Sequence, residues 1–559
     1  MKPTIPRPQI ILDYETYFGE VPPDDRISII KHVSKDNVLY EIAALNYRLK
    51  PKDKIYIDNS LETQVKELKY FTQNNEVFTK YSKIAEKYTK SKEDYPIIFN
   101  RQACLFAIEE IINSDEMQMI DDFVMARIEV WEAILKYYLA VNYVITQFKD
   151  EKDNNNVSFE SLNPKLLPLN ELSIETDPIF TPYRGYWLID YMLKRSILGD
   201  ELKLYFRATY KIEPEQFVYH LLGMYMSNRR EDPDHNFFYS IKDGYNDLYE
   251  RLSIRNPNKD IYKLLNIRKS PFINVGYQKY LIADNSFLLE KAYSQLLNDF
   301  WFDWIKMLKD DEGNPRFPIK FYRGVFGHFF EQYLSQILIK SFENFRYSTL
   351  LMFNQLELKI GKRLIEIADI YLRYGNKIIL GQVKSGNIYD SEKYGGSIDS
   401  LYKNDRNKFF ENFGVNQLIK SLTNMDDYIQ LVDSKFPKGH TYEVYPCIIV
   451  NDKALQTPLM ADTFNIRFQE LLKDFSIKKV NVRPLTVIHI NDLERLEDSL
   501  IKNPNLIWEL LQFNHRAKSF IPPFFDTVNK KLSGKHYPKR ILKLFKSLIL
   551  NHDTEGTNN

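Results

Sequence analysis

Cysteine is nearly absent: the 559 residues include only Cys104 and Cys447. Two thiols cannot build a disulfide framework or a four-cysteine zinc site, and they fit a reducing cytoplasm. An excess of one charge is also missing. Lys plus Arg is 76 and Asp plus Glu is 75, which excludes a histone-like polycation but leaves room for a local basic groove. The most apolar long stretch, Val130–Phe148, is interrupted by Glu132, Lys136 and Asn142, so it reads as a soluble buried helix and not a membrane span. The opening residues Met1–Pro8 carry no apolar core, and no signal peptide is expected. The histidines form no HExxH or other paired metal motif. There is no GxxxxGK[ST] phosphate loop, so any ATP requirement falls on a partner. Aromatics, by contrast, are plentiful, with 38 Tyr and 37 Phe. They read as core filling, with base-stacking platforms as the alternative.

No internal repeat or long low-complexity tract divides the chain. Two polar stretches do, Asp150–Asn156 and Lys309–Pro315, both composed as linkers or exposed loops. The expected organisation is a mainly helical domain over 1–150, a helical domain over 157–308, an α/β domain over 316–492 and a helical extension over 493–550, with a disordered tail from His552. Asp121–Gln147 and Tyr280–Leu308 carry apolar residues three and four apart, as helices require. The third piece changes character. A helical pattern over Gly327–Phe342 precedes strand-like runs at Thr349–Leu358, Leu364–Tyr374 and Lys377–Lys384. A helix is expected over Val415–Leu422, and strands over Glu443–Val450 and Leu485–Ile490. This mixture predicts an α+β chain whose C-terminal part is one mixed sheet flanked by helices.

The chemically informative segment runs from Ile365 to Ser385. Two apolar strands flank the turn Gly375-Asn376, a hairpin signal. Asp369 interrupts the first strand among Ile367, Ala368, Ile370 and Leu372. Gln382 and Lys384 fall near the end of the second, where strand periodicity puts them on one face and Val383 on the other. A carboxylate, an amide and an ammonium inside apolar strands are costly unless paired or used. Upstream, Glu331 sits on an apolar helix beside Phe330, Leu334, Ile337 and Leu338. The competing reading of Asp369 and Lys384 is a cross-strand ion pair on an exposed sheet face.

A helix-borne Glu, then a hairpin carrying Asp and (Glu/Gln)-x-Lys, resembles the PD-(D/E)xK (restriction-endonuclease-like) nuclease superfamily, and the Gln382-Val383-Lys384 form is similar to its Mrr-like branch. The resemblance spans residues 320–450. It matches Glu331 to the helix acid, Asp369 to the central metal-binding acid, Gln382 and Lys384 to the third motif, and Gln417 to a polar position on the following helix. The Pro that precedes the Asp in the superfamily is replaced by Ala368, and Gln382 removes one anionic ligand. The resemblance implies a restriction-endonuclease-like domain and Mg²⁺- or Mn²⁺-dependent hydrolysis of DNA, leaving 5′-phosphate ends. It implies a metal held by Glu331, Asp369 and the Val383 backbone carbonyl, and a lysine acting on the attacking water or the phosphate charge. A large helical half joined to such a nuclease suggests bacterial defence against foreign DNA, with a partner protein supplying sensing or ATPase activity.

Other signals are weaker. Lys403, Arg406, Lys539, Arg540 and Lys543 are candidates for phosphate contact, the last three on a helical pattern that serves equally as a solvated face. Asp13-Tyr14-Glu15-Thr16 resembles the first motif of DEDD-type exonucleases, but an exposed strand or turn accounts for it better. Arg230 and His235 match the Arg-x4-His spacing of HEPN ribonucleases in a stretch composed as a loop. Two alternatives to the DNA nuclease stay open: an inactive nuclease fold that binds nucleic acid or protein, and a metal-independent RNase using Arg230 and His235.

Overall fold

Apolar residues three and four apart draw the N-terminal half into helices, as the sequence predicts. A computed structural model describes residues 10–50, 58–72, 75–88, 95–118, 128–146, 171–227, 237–242, 247–255, 257, 264–386, 406–436, 441–475, 480–516, 520–532 and 537–546. The stretches Asp150–Asn156 and His552–Asn559 lie outside them. The principal N-terminal helices are α1 (Lys35–Arg48), α2 (Arg101–Asn113), α3 (Ile128–Thr146) and α4 (Phe180–Arg195). The Asn100 side chain accepts from the Ala103 amide and starts α2, because a side-chain oxygen there satisfies an otherwise orphaned N–H. The apolar stretch after Val130 is α3, buried through Tyr137, Tyr138 and Leu139. Among the described residues no helix is long and apolar enough to cross a membrane.

A small antiparallel sheet, which the sequence pattern did not anticipate, interrupts the helices. Its strands β1 (Phe238–Ser240), β2 (Phe272–Asn274) and β3 (Lys279–Ile282) lie in the order β1-β3-β2. The helix expected over Tyr280–Leu308 is therefore corrected. Its first residues belong to β3, and helices follow at Asn285–Glu290 and Ser294–Asp303. Asp284 sets the boundary by accepting from the Ser286 amide at 2.7 Å.

The C-terminal part is built on helix α5 (Ile319–Phe342) and a mixed sheet. Strands β4 (Ser348–Met352), β7 (Ile370–Tyr374) and β8 (Lys377–Lys384) pair antiparallel, and β8 then pairs parallel with β9 (Tyr442–Val450). Beyond β9 lie β10 (Val480–Val482) and β11 (Thr486–His489), both parallel to it. Between β4 and β7 the chain leaves this sheet as a separate two-stranded ribbon, β5 (Glu357–Ile360) with β6 (Arg363–Glu366). Thr349–Leu358 and Leu364–Tyr374 are thus each broken where single strands were expected. The first breaks at Phe353, whose φ is +50°. The second breaks at Ile367 and Ala368, which are both fully buried. The chain kinks there as it changes partner: the Ile367 amide still donates to the Leu356 carbonyl of the ribbon, and the Asp369 amide already donates to the Gly381 carbonyl of β8.

Period two along the strands sorts their side chains into two cores. Ile370, Leu372, Ile379, Tyr445, Cys447 and Ile449 join the large core that runs into the N-terminal half. Tyr371, Ile378, Leu380, Val444, Ile448 and Val450 form a second core under helices α6 (Val415–Val432) and α7 (Pro458–Leu472). Helix α5 covers the first face through Phe330, Leu334 and Ile337, beside α8 (Ile490–Lys502).

Candidate active site

The register of β7 and β8 assembles the candidate site. Ile370 pairs with Gly381, so Asp369 stands opposite Gln382, and opposite residues in an antiparallel pair share a face. Gln382 and Lys384 continue the row of Ile378 and Leu380, so all three polar residues lie on the α6 side. Three hydrogen bonds to backbone groups fix Asp369 at the kink. Its amide donates to the Gly381 carbonyl at 3.1 Å, its carbonyl accepts from the Phe353 amide at 2.8 Å, and its Oδ2 accepts from the Val383 amide at 2.7 Å.

A residue that the sequence pattern does not single out completes the acidic part. The carboxyl of Glu366, at the end of β6, lies within hydrogen-bonding range of Asp369. Burial, and then this neighbour, push the Asp369 carboxyl up to about 7, against the opposing pull of the Val383 amide and Lys384. Asp369 is half-buried and Glu366 exposed, and a carboxyl that is both desolvated and beside another acid ionises less readily. The spacing Glu-x-x-Asp was visible in the sequence. Its meaning was not, because an unbroken strand would have put Glu366 on the opposite face from Asp369.

Helix α6 supplies the second wall. Gln382 is buried and donates from Nε2 to Ser421 Oγ at 3.0 Å, which leaves its amide oxygen for other partners. Lys384 donates from Nζ to Gln417 Oε1. Burial lowers its pKa, while Asp369 and Glu366 act in the opposite direction. The lysine and both acids therefore share one electrostatic environment. Gly414 precedes α6 with φ +89°, and a Cβ there would come within 2.5 Å of Lys384 Cε. The absence of a side chain at 414 is what lets the lysine lie along the helix start.

Glu331 stands apart. It is on α5, across the sheet from the other three, and its carboxylate is 42% exposed, 3.6 Å from His328 Nδ1. It lines an open cleft of about 420 Å³ with His328, Ser335, Phe353 and Asn354. The cleft meets the site at Phe353, whose N–H holds the Asp369 carbonyl. Gly327, one turn before Glu331, faces Ser385 just beyond β8.

The donor set suits a hard divalent cation. Asp369 and Glu366 offer carboxylate oxygens. The Val383 carbonyl lies on the same strand edge as its N–H, which points at Asp369. Oxygen ligands of this kind match Mg²⁺ or Mn²⁺, and a cation would offset the burial and the neighbouring acid that together raise the Asp369 carboxyl.

The remaining candidates are scattered. Lys539 and Lys543 are exposed on a helix over 539–546. Arg540 is not free for phosphate and is corrected: Glu497 takes its Nε at 2.6 and 2.7 Å, and Tyr183 accepts from its Nη1. Arg406 opens the helix Arg406–Asn412. Lys403, Arg230 and His235 lie outside the described residues. Asp13 is occupied structurally, accepting from the Thr16 amide at 2.9 Å and the Thr146 hydroxyl at 3.0 Å. No family model, curated protein or solved structure matches the chain.

Proposed function

We propose that the chain is a divalent-metal-dependent nuclease that hydrolyses phosphodiester bonds of DNA at the β7–β8 site. The observation that carries this reading is the half-buried Asp369, crowded by Glu366 and facing Lys384 on one sheet face. A carboxyl raised by burial and a neighbouring acid, beside a lysine of lowered pKa, is the kind of arrangement that sites of acid–base and metal chemistry use. Asp369, Glu366 and the Val383 carbonyl would hold Mg²⁺ or Mn²⁺, with Glu331 reaching in from the cleft through water. A bound cation supplies positive charge to the phosphoryl group as negative charge builds on it. Lys384, hydrogen-bonded to Gln417, would take a proton from the attacking water or face the phosphate charge. Gln382, anchored on Ser421, would orient that water from the α6 side. The large helical half then has the role of sensor or partner-binding part, which fits bacterial defence against foreign DNA.

Incubating the full chain with plasmid, single-stranded DNA and RNA, with and without Mg²⁺, tests the reading. Cutting of DNA that needs the metal and disappears in Asp369→Ala is the expected result. DNA binding without cutting would make the fold an inactive binding module. RNA cleavage that persists in EDTA would move the activity elsewhere in the chain.

A further inference from the structure

The ribbon β5–β6 is attached to the site and to little else. At its base, Leu356 and Ile367 are fully buried, the Ile367 amide donates to the Leu356 carbonyl at 3.0 Å, and Asn424 on α6 donates to the Glu366 carbonyl at 2.7 Å. Beyond that clamp every residue from Lys359 to Leu364 is exposed, turning at Gly361 with φ +62°. The ribbon sits on a firm base, with its tip in solvent and its last residue, Glu366, in the candidate site.

The tip is basic and carries an unusual apolar group. Leu358 to Ile365 contains Lys359, Lys362 and Arg363 and no acid. None of these three cations makes an ion pair or hydrogen bond with the described residues. Lys359 pairs across the ribbon with Leu364, and Ile360 with Arg363. Alternation puts Lys359 and Leu364 on the Glu366 face and Ile360 and Arg363 on the other, so each face presents one cation and one apolar side chain. Leu364 is 65% exposed, with nothing among the described residues to cover it.

Cations on both faces and at the turn suit a narrow element entering between two walls of phosphate. Strands of this length extend about 13 Å, and the major groove of B-DNA is about 12 Å wide and 8.5 Å deep, enough for a two-stranded ribbon. The deep, narrow major groove of A-form RNA does not admit one. We infer that the β5–β6 ribbon enters the major groove of duplex DNA tip first, with Lys359, Lys362 and Arg363 on the flanking phosphates and Leu364 against base edges, and so carries the duplex to Asp369. The inference rests on the nuclease reading for the position of the cut, but binding by the ribbon is open to separate measurement.

The test uses the full chain with Asp369→Asn as the uncut parent, and a labelled DNA duplex followed by fluorescence anisotropy from 50 to 200 mM salt. Adding Lys359→Gln, Lys362→Gln and Arg363→Gln should weaken duplex binding at least tenfold at the low-salt end. It should also flatten the slope of log affinity against log salt by about two to three, close to one for each phosphate that no longer meets a cation. Leu364→Ser should weaken binding severalfold and leave the slope unchanged. Thermal melting should match the parent in both variants, since the altered side chains are exposed. A duplex RNA of the same length should bind the parent more weakly and lose less in the triple variant. A slope and affinity in the triple variant equal to the parent's would overturn the inference, as would a parent that binds no duplex DNA. A flattened slope in a protein that never cuts DNA would leave the ribbon's role in binding standing and remove the nuclease.

Discussion

Asp369 concentrates the cost of the site in one side chain. Its folded pKa of about 7 lies above the ordinary 3.8, so the folded chain holds this proton more tightly than the unfolded chain does. Linkage gives the sign: stability falls as pH rises from the ordinary value to about 7, and is flat beyond it. Asp369→Asn keeps an acceptor for the Val383 amide and removes the charge. The variant should melt a few degrees higher than wild type at pH 8, and the gain should shrink at pH 6, as seen by thermal denaturation in EDTA. The same carboxyl must lose its proton to hold a cation, so Mn²⁺ affinity measured by calorimetry should rise between pH 6 and 8 in wild type and be lost in the variant. A more stable but inactive variant is the usual mark of a functional residue held under strain. An Asn variant that is less stable at both pH values would show that the carboxylate supports the fold instead.

At the scale of elements, the hairpin was legible and its surroundings were less so. The apolar runs, the Gly375-Asn376 turn and the placing of Gln382 and Lys384 on one face followed from period two alone, and the structure keeps them. Glu366 was hidden because the kink at Ile367 and Ala368 depends on packing against Leu356, which no local pattern announces. Arg540 was read as a surface cation because helical spacing shows which face a residue occupies but not what covers it. Its partner Glu497 comes from another helix. Gly414 shows how an element positions chemistry without taking part in it. An alanine there would meet Lys384 Cε and would have to adopt φ +89°. The backbone strain costs about 1–2 kcal/mol, and the lysine tip is flexible enough to move aside. Gly414→Ala should therefore lower stability by about that amount while displacing Lys384 from Gln417. Cleavage should fall by roughly a hundredfold, the scale of losing one group aimed at transition-state charge, with DNA affinity nearly unchanged. Unaltered cleavage in a folded Gly414→Ala protein would mean that Lys384 does not need its place beside α6.

Across the whole molecule, the helical half and the sheet are joined by buried charge. Arg101 pairs with Asp284 at 2.7 Å inside the N-terminal half. Glu290 takes both Arg268 at 3.1 Å and Lys453, just past β9, at 2.7 Å. Arg184 on α4 meets Glu494 on α8, and Tyr333 on α5 donates to the same carboxylate. Such long-range pairs cannot be read from sequence, since neither partner's neighbourhood names the other. They make the position of α5, and with it Glu331, depend on the N-terminal half. Removing one member of a buried pair leaves the other charge uncompensated, at about 3–5 kcal/mol. Arg184→Met should lose that much by chemical denaturation, with both halves unfolding in one transition. Burial already raises the Glu494 carboxyl from 4.5 to about 7, and Arg184 is the main influence holding it down. Without the arginine it rises further, so the deficit of Arg184→Met should grow as pH passes through 7 and be smaller at pH 6 than at pH 8. Adding Glu494→Gln removes the charge that was stranded and should recover most of the loss and abolish its pH dependence, a coupling that a double-mutant cycle measures directly. A deficit that stays the same with or without Glu494→Gln would show that Arg184 acts through its other contacts, the Tyr293 ring 5.1 Å from its guanidinium and the Asn491 side chain, and that the two halves are not joined through this pair.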